Sequence, residues 1–281
     1  DFCLSRGLGD VYKRQVMIID VNALLGRWPF YTLRYEGVEG IVALMDRAGI
    51  DKAVVTSMDS VYRVDYEMGN REVAEACKQY PARFISFAVI NPIFTLWKEH
   101  LKTCVKEFGA KGIKLHPDYH KYGLFGEEIR RLMEEAKDYA LPVYVQTSLI
   151  DHRNLSRYRP FYCNVDETPA RDVASLIRMY LENKIIVGFA QRGGDKAIEL
   201  LKQVQESKNL YIETSVMDAA PFDAIEETVK AYGSSRLLFG TRMPLLIPEA
   251  AKAVIEKSKI AKEDKEKILG RNAAELLSIT E

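Results

Sequence analysis

A set of polar side chains stands at the ends of short apolar runs, and their types suit acid–base and anion-binding chemistry. Asp20 and Asn22 follow Met17-Ile18-Ile19, and Lys114 and His116 lie in and just after Gly112-Ile113-Lys114-Leu115. Gln146 follows Val143-Tyr144-Val145, Gln191 and Arg192 follow Ile185 to Phe189, Glu213 and Thr214 follow Leu210 to Ile212, and Thr241 and Arg242 follow Leu237-Leu238-Phe239. An imidazole titrates near neutrality, so His116 is the expected general base or acid, with Asp20 or Glu213 to orient it or to serve as the acid. Lys114, Arg192 and Arg242 would favour a carboxylate or phosphate through charge-assisted hydrogen bonds, with Asn22, Gln146, Gln191 and Thr214 lining the same space. The competing reading pairs each cation with Asp20 or Glu213 and leaves little net charge.

A catalytic metal would draw on His, Cys, Asp and Glu. The chain has four histidines, and His100 falls inside a helical pattern. His116, Asp118 and His120 (HPDYH) could bring three ligands together, although Pro117 makes the local path hard to predict from sequence. The expectation adopted is that His116 lines a pocket, His120 faces solvent, and no metal or other cofactor is held. Ser148 to Glu167 reads as a long loop rich in Tyr and Arg, including Arg153, Arg157, Tyr158, Arg159 and Tyr162. It is either a pocket wall or lid, with Tyr158 against the ligand, or a subunit contact, since Tyr and Arg are enriched at interface hot spots.

The elements that position these residues alternate. A strand from Met17 is followed by a helix over Gly37 to Ala48, where Val38, Ile41, Val42, Met45 and Ala48 recur at helical spacing. Further strands are expected at 53–55, 84–89, 112–115, 143–145, 185–189, 210–212 and 237–239. The helices between them carry one apolar face each, as in Leu101, Cys104, Val105 and Phe108. Thr168 is expected to cap a helix with Pro169 at its first position, and the last helix to run from Lys262 to Leu277. Short strands that are apolar on both faces belong in a parallel sheet covered by helices. Eight such units make a (β/α)8 TIM barrel of class α/β, a single domain whose active site is built at the C-terminal ends of the strands. A doubly wound open sheet is the rival, and it often carries a glycine-rich phosphate loop after the first strand. The turn at Asp20 to Leu25 has no glycine.

Composition narrows the partners. The 281 residues carry no formal net charge, which excludes a blanket attraction to nucleic acid or anionic membrane. No run approaches the roughly 20 apolar residues of a membrane helix. The four cysteines show no paired spacing and read as free thiols of a cytoplasmic protein. Homodimers are common among barrels, so a homodimer is the expected alternative to a monomer. Residues 1–15 (DFCLSRGLGDVYKRQ) lack the apolar region of a signal peptide. They are expected to be a non-native extension, with the barrel occupying residues 16–281.

With the barrel placed, the chain resembles the amidohydrolase superfamily, and within it the amidohydrolase-related (type 2) proteins. The markers are IIDVNALLG, GIKLHP, PVYVQT, IIVGFAQRGG, LLFGTRMP and ILGRNAAELL. The resemblance implies hydrolase or decarboxylase-like lyase ancestry, on a scaffold shared with decarboxylases of aromatic acids and lactone hydrolases. It also implies a metal site that this chain does not reproduce. The histidine pair after the first strand is matched by Asn22 and Leu24, later histidines by Gln146 and Gln191, and the eighth-strand aspartate by Arg242. A guanidinium cannot ligate a metal and would repel one. The expected function is therefore action on, or binding of, a small anionic organic molecule without the family's metal. The alternatives are a non-catalytic metabolite-binding or regulatory protein, and a metal hydrolase whose ligands have moved to His116, Asp118, His120 or Glu213.

Overall fold

The computed structural model describes residues 16–30, 32–63, 65–149, 166–190, 193–217 and 223–279. Strands Ile19–Leu25, Lys52–Ser57, Phe84–Ser86 with Ala88–Val89, Ile113–Leu115, Val143–Gln146, Ile185–Gly188, Leu210–Glu213 and Leu237–Leu238 follow one another around a parallel barrel. The seam closes where Val21 N–H donates to the Phe239 carbonyl (2.9 Å) and Leu24 N–H to that of Met243 (2.9 Å). The (β/α)8 architecture expected from the sequence is the one observed.

Period-two alternation decides what faces inward. Ile113 and Leu115, Val143 and Val145, Ile185 and Val187, and Leu210 and Ile212 point outward and pack with helix residues such as Leu132, Met133, Leu176 and Leu200. The alternate residues fill the barrel. Ile19, Val21, Val54, Phe87, Tyr144, Ile186 and Leu238 form an apolar floor, closed from below by Ala273 and Leu276. A second apolar cluster at the mouth joins Leu24, Trp28, Leu33, Met58, Val61, Leu149 and Leu245. Polar side chains of the strand ends lie between these two layers.

Several boundaries differ from expectation for identifiable reasons. The third strand is not continuous. Phe87 interrupts it, and the chain keeps its place because Phe87 N–H donates to the Val55 carbonyl (3.1 Å) and Ala88 N–H to that of Gly112 (2.9 Å). The Gly37–Ala48 helix is as expected and ends at Gly49, whose left-handed φ of 63° suits a glycine. The helix expected to start with Thr168 as cap begins later, as Ala170–Met179 with Pro169 at the cap. Thr168 N–H is taken instead by the Thr147 carbonyl (2.8 Å). The last helix is not uniform, since a π turn at Lys267–Arg271 separates Lys262–Glu266 from Asn272–Leu277. That turn serves the eighth strand: Ile268 O accepts from Phe239 N–H (3.0 Å), and Asn272 Nδ2 donates to the carbonyls of Ser234 and Leu237 (2.8 Å each). No helix among the described residues is long and apolar enough to cross a membrane.

Candidate active site

The first strand bends where its register with the second shifts between Asp20 and Ala23. The bend is held by Asp20, whose Oδ1 accepts from Asn22 N–H (2.8 Å) and Thr241 N–H (3.0 Å), while Oδ2 accepts from Thr241 Oγ1 (2.5 Å). Asp20 thus ties the first strand to the eighth. Burial pushes its pKa up to about 7, against the lowering effect of the Thr241 and Asn22 hydrogen bonds.

The bend turns Asn22 into the barrel. Its Oδ1 accepts from Lys114 Nζ (2.7 Å), and its Nδ2 donates to Tyr144 Oη (2.9 Å) and Glu213 Oε2 (3.1 Å). Tyr144 Oη donates to the same carboxylate oxygen (3.0 Å), which also receives Ser215 Oγ (2.9 Å), while Ser215 N–H donates to Oε1. Two glycines make room for this cluster. A Cβ at Gly188 would lie 2.1 Å from Tyr144 Oη, and one at Gly240 would lie 2.1 Å from Glu213 Oε1. Glu213 therefore sits in a tailored pocket of donors. Thr214, also buried, joins the ladder through its N–H to the Leu238 carbonyl (3.1 Å), and its Oγ1 accepts from Gly240 N–H (3.4 Å).

A second group of buried polar atoms has no such partners. Among the described residues, neither ring nitrogen of His116 has a hydrogen-bond partner, and neither do Arg242 Nε and Gln146 Oε1. His116 is fully buried, and burial lowers its pKa well below 6.5, with the positive charges of Lys114, His120 and Arg242 acting in the same direction. Burial therefore favours the neutral imidazole. Arg242 Nη2 donates to the Phe189 carbonyl, and the residue adopts a left-handed φ of 56°, rare outside glycine and asparagine. Gln146 turns its Nε2 to the carbonyls of Ser148 (2.9 Å) and Gly188 (3.1 Å).

Compared with expectation, the structure brings Asp20, Asn22, Lys114, Gln146, Glu213, Thr214 and Arg242 to the strand ends, with His116 beside them. The reading that paired each cation with Asp20 or Glu213 does not hold: Lys114 bonds an amide and Arg242 a carbonyl. His120 is not turned to solvent. It is half-buried, with its ring centroid 6.2 Å from that of His116 and its Nε2 3.2 Å from the Ser60 carbonyl. Gln191, Arg192 and Tyr158 lie outside the described residues. Sequence reasoning missed Tyr144 and Ser215. Tyr144 was findable, because it sits two residues before Gln146 on the same strand face. Asp118 accepts from Leu149 N–H (3.0 Å) and is pushed up to about 6 by burial. Among the described residues, no group of three or more His, Cys, Asp and Glu side chains converges as a metal site.

A family model described as Amidohydrolase matches residues 20–279. No curated protein sequence matches the chain. Among solved structures, 5-carboxyvanillate decarboxylase from Sphingomonas paucimobilis superposes with a TM-score of 0.73 at 14% identity, covering 95% of this chain and 100% of that one. The 2,6-dihydroxybenzoate decarboxylase from Rhizobium gives 0.71 at 17% identity, with 94% and 99% covered. A dihydroxybenzoic acid decarboxylase from Polaromonas sp. JS666, solved with manganese and 2-nitroresorcinol, gives 0.70 at 18% identity, with 94% and 98% covered. At these identities the likeness is one of fold.

Proposed function

The chain belongs to the amidohydrolase family, and we propose that its barrel mouth holds a small organic carboxylate on a fixed guanidinium, with a neutral imidazole beside it for proton transfer, rather than on a catalytic divalent metal. One observation carries this reading. The buried Arg242 Nε and both nitrogens of the fully buried His116 have no partners among the described residues. Buried polar groups are satisfied in the great majority of cases, so a cluster of exceptions at strand ends marks a ligand's place. The left-handed backbone at Arg242 is a local strain of the kind found at functional sites.

The side chains at the positions where the family holds its metal do not suit a divalent cation. Asn22 is committed to Lys114, Tyr144 and Glu213. Leu24 is packed with Trp28, Met58 and Leu245 in the apolar cluster at the mouth. Gln146 spends its amide nitrogen on two carbonyls, and Arg242 contributes a positive charge of its own. A guanidinium supplies fixed charge and directional N–H donors to a carboxylate without metal chemistry. The apolar cluster, with Phe30, Tyr62 and Tyr119 packed on it, gives the mouth an aromatic wall suited to an apolar body on the bound acid. The three decarboxylases above act on aromatic acids by name, which supports a carboxylate as the ligand class.

In this reading His116 is the catalytic residue. It is neutral, so one nitrogen accepts a proton while the other donates one. Asp20 and Glu213 are positioning residues that hold the seam and Asn22. Asn22, expected from the sequence to touch the ligand, is instead a positioning residue for Lys114, and Lys114, Gln146, Thr214 and Arg242 are assigned to ligand binding, as are Gln191, Arg192 and Tyr158. Substituting His116→Asn in an assay against a carboxylate and lactone panel is expected to abolish turnover and leave carboxylate affinity largely intact; unchanged turnover overturns the role. The fully bonded surroundings of Glu213 favour a second reading, a non-catalytic binding protein, in which carboxylates bind and no member of the panel is converted.

A further inference from the structure

The amine inside the barrel is not explained by anion binding alone. Lys114 is 1% exposed, and among the described residues its Nζ has a single acceptor, Asn22 Oδ1 at 2.7 Å. It lies 4.5 Å from the centroid of the Tyr144 ring and forms no ion pair with a described carboxylate. An ammonium carries three donors; Asn22 Oδ1 takes one and the Tyr144 ring face lies over another, so at least one is left without an acceptor among the described residues at this buried position. The free amine carries fewer donors and an available lone pair. Asn22 is held so that only its carbonyl oxygen faces the lysine, because its Nδ2 is taken by Tyr144 and Glu213.

We infer that Lys114 is a carbonyl-reactive amine that forms an imine with a small oxo acid held at the barrel mouth. The inference rests on the carboxylate site above, since Arg242 supplies the hold on the acid. His116 follows Lys114 by two residues, which places both on one face of the strand line about 7 Å apart. The Nζ lone pair attacks the carbonyl carbon, the C=O π pair moves onto oxygen, and that oxygen takes up a proton while nitrogen gives one away. The resulting hydroxyl then leaves as water with a second proton, and the nitrogen lone pair closes the C=N bond. One water is lost in total and nothing is oxidised or reduced. The unpartnered nitrogens of His116 are the groups placed to carry these protons, and Asn22 is the positioning residue for the amine. Burial, helped by the positive charge of Arg242, also lowers the Lys114 pKa to about 7, against the opposing pull of Glu213, Asp20 and Asp118. Desolvation and a neighbouring cation are the two conditions under which lysine becomes a nucleophile near neutrality.

The test is reductive trapping on the full chain near neutral pH, with pyruvate or acetoacetate as probe and cyanoborohydride as reductant, read by peptide mapping. The expected result is an adduct on Lys114 that accumulates at least about tenfold faster than on any other lysine, because more of this amine is unprotonated. Lys114→Arg and Lys114→Met remove that adduct, and the unsubstituted chain's own labelling pattern stands as the result if either variant fails to fold. Asn22→Ala slows trapping at Lys114 without changing the labelling of surface lysines. Adducts confined to surface lysines, or labelling of Lys114 no faster than theirs, overturn the inference. Lactate, which has the carboxylate without the carbonyl, separates the two claims by calorimetry. Lactate binding with no pyruvate adduct overturns the imine and keeps the carboxylate site, and absence of both overturns both.

Discussion

Around Glu213, four donors from Asn22, Tyr144 and Ser215 converge on one carboxylate, whereas around His116 and Arg242 buried nitrogens stand without partners among the described residues. The two groups lie at the strand ends of the same barrel, and both are almost fully buried. The difference separates two uses of buried polarity. A satisfied network rigidifies a core and specifies one packing, while an unsatisfied one is a cost that a bound ligand offsets. Glu213 is therefore the structural half of the mouth, and His116 with Arg242 the half available to a ligand.

This contrast is broken most severely at Glu213. Glu213→Ala strands the donors of Asn22, Tyr144 and Ser215 in the barrel, and a loss of about 3 kcal/mol or more is expected in urea unfolding. A loss under about 1 kcal/mol would mean that the network is not structural.

Next comes the pH dependence. Lys114 has a lowered folded-state pKa, so its contribution is present above 10.5 and is lost as pH falls through about 7. Asp20 has a raised one, so its contribution is present below 3.8 and is lost as pH rises through about 7. The two groups therefore weigh most heavily on stability near neutrality. Unfolding of the unsubstituted chain and of Lys114→Met, compared from neutral pH to about pH 10, should show the unsubstituted chain gaining on the order of 3 kcal/mol relative to the variant. A difference independent of pH contradicts the buried amine.

Arg242→Met sharpens the comparison from the other half. Stability should change by less than about 1 kcal/mol, because a buried cation with one carbonyl partner among the described residues is replaced by an apolar chain. Carboxylate affinity should fall at least about tenfold, or about 1.4 kcal/mol, by calorimetry. The reverse pattern, lost stability with retained affinity, would assign Arg242 to structure.

Much of this was legible in the sequence because barrel geometry converts strand ends into site positions. Once Ile113 and Leu115 are read as outward, Lys114 and His116 must face in, and Val143 with Val145 place Gln146 likewise. What was not legible depends on contacts between distant strands. The tie between Asp20 and Thr241 spans 221 positions, and the role of Tyr144 depends on the space that Gly188 leaves on the next strand. The position of His120 is not legible because Pro117 hides the local path: the one-turn helix Pro117–His120 folds its ring back toward Ser60 and His116, where the sequence suggests solvent. The break at Phe87 and the π turn at Lys267–Arg271 carry no local signal, since each is set by hydrogen bonds from a neighbouring strand.

The central claim is that charge at this mouth comes from a guanidinium and not from a metal. Calorimetric titration of an aromatic carboxylate, benzoate, into full chain expressed with zinc and manganese and then treated with EDTA tests it directly, alongside elemental analysis of the untreated protein. The account predicts substoichiometric metal and the same benzoate affinity before and after chelation. Stoichiometric metal, with benzoate binding that disappears on chelation and returns with manganese, would contradict it.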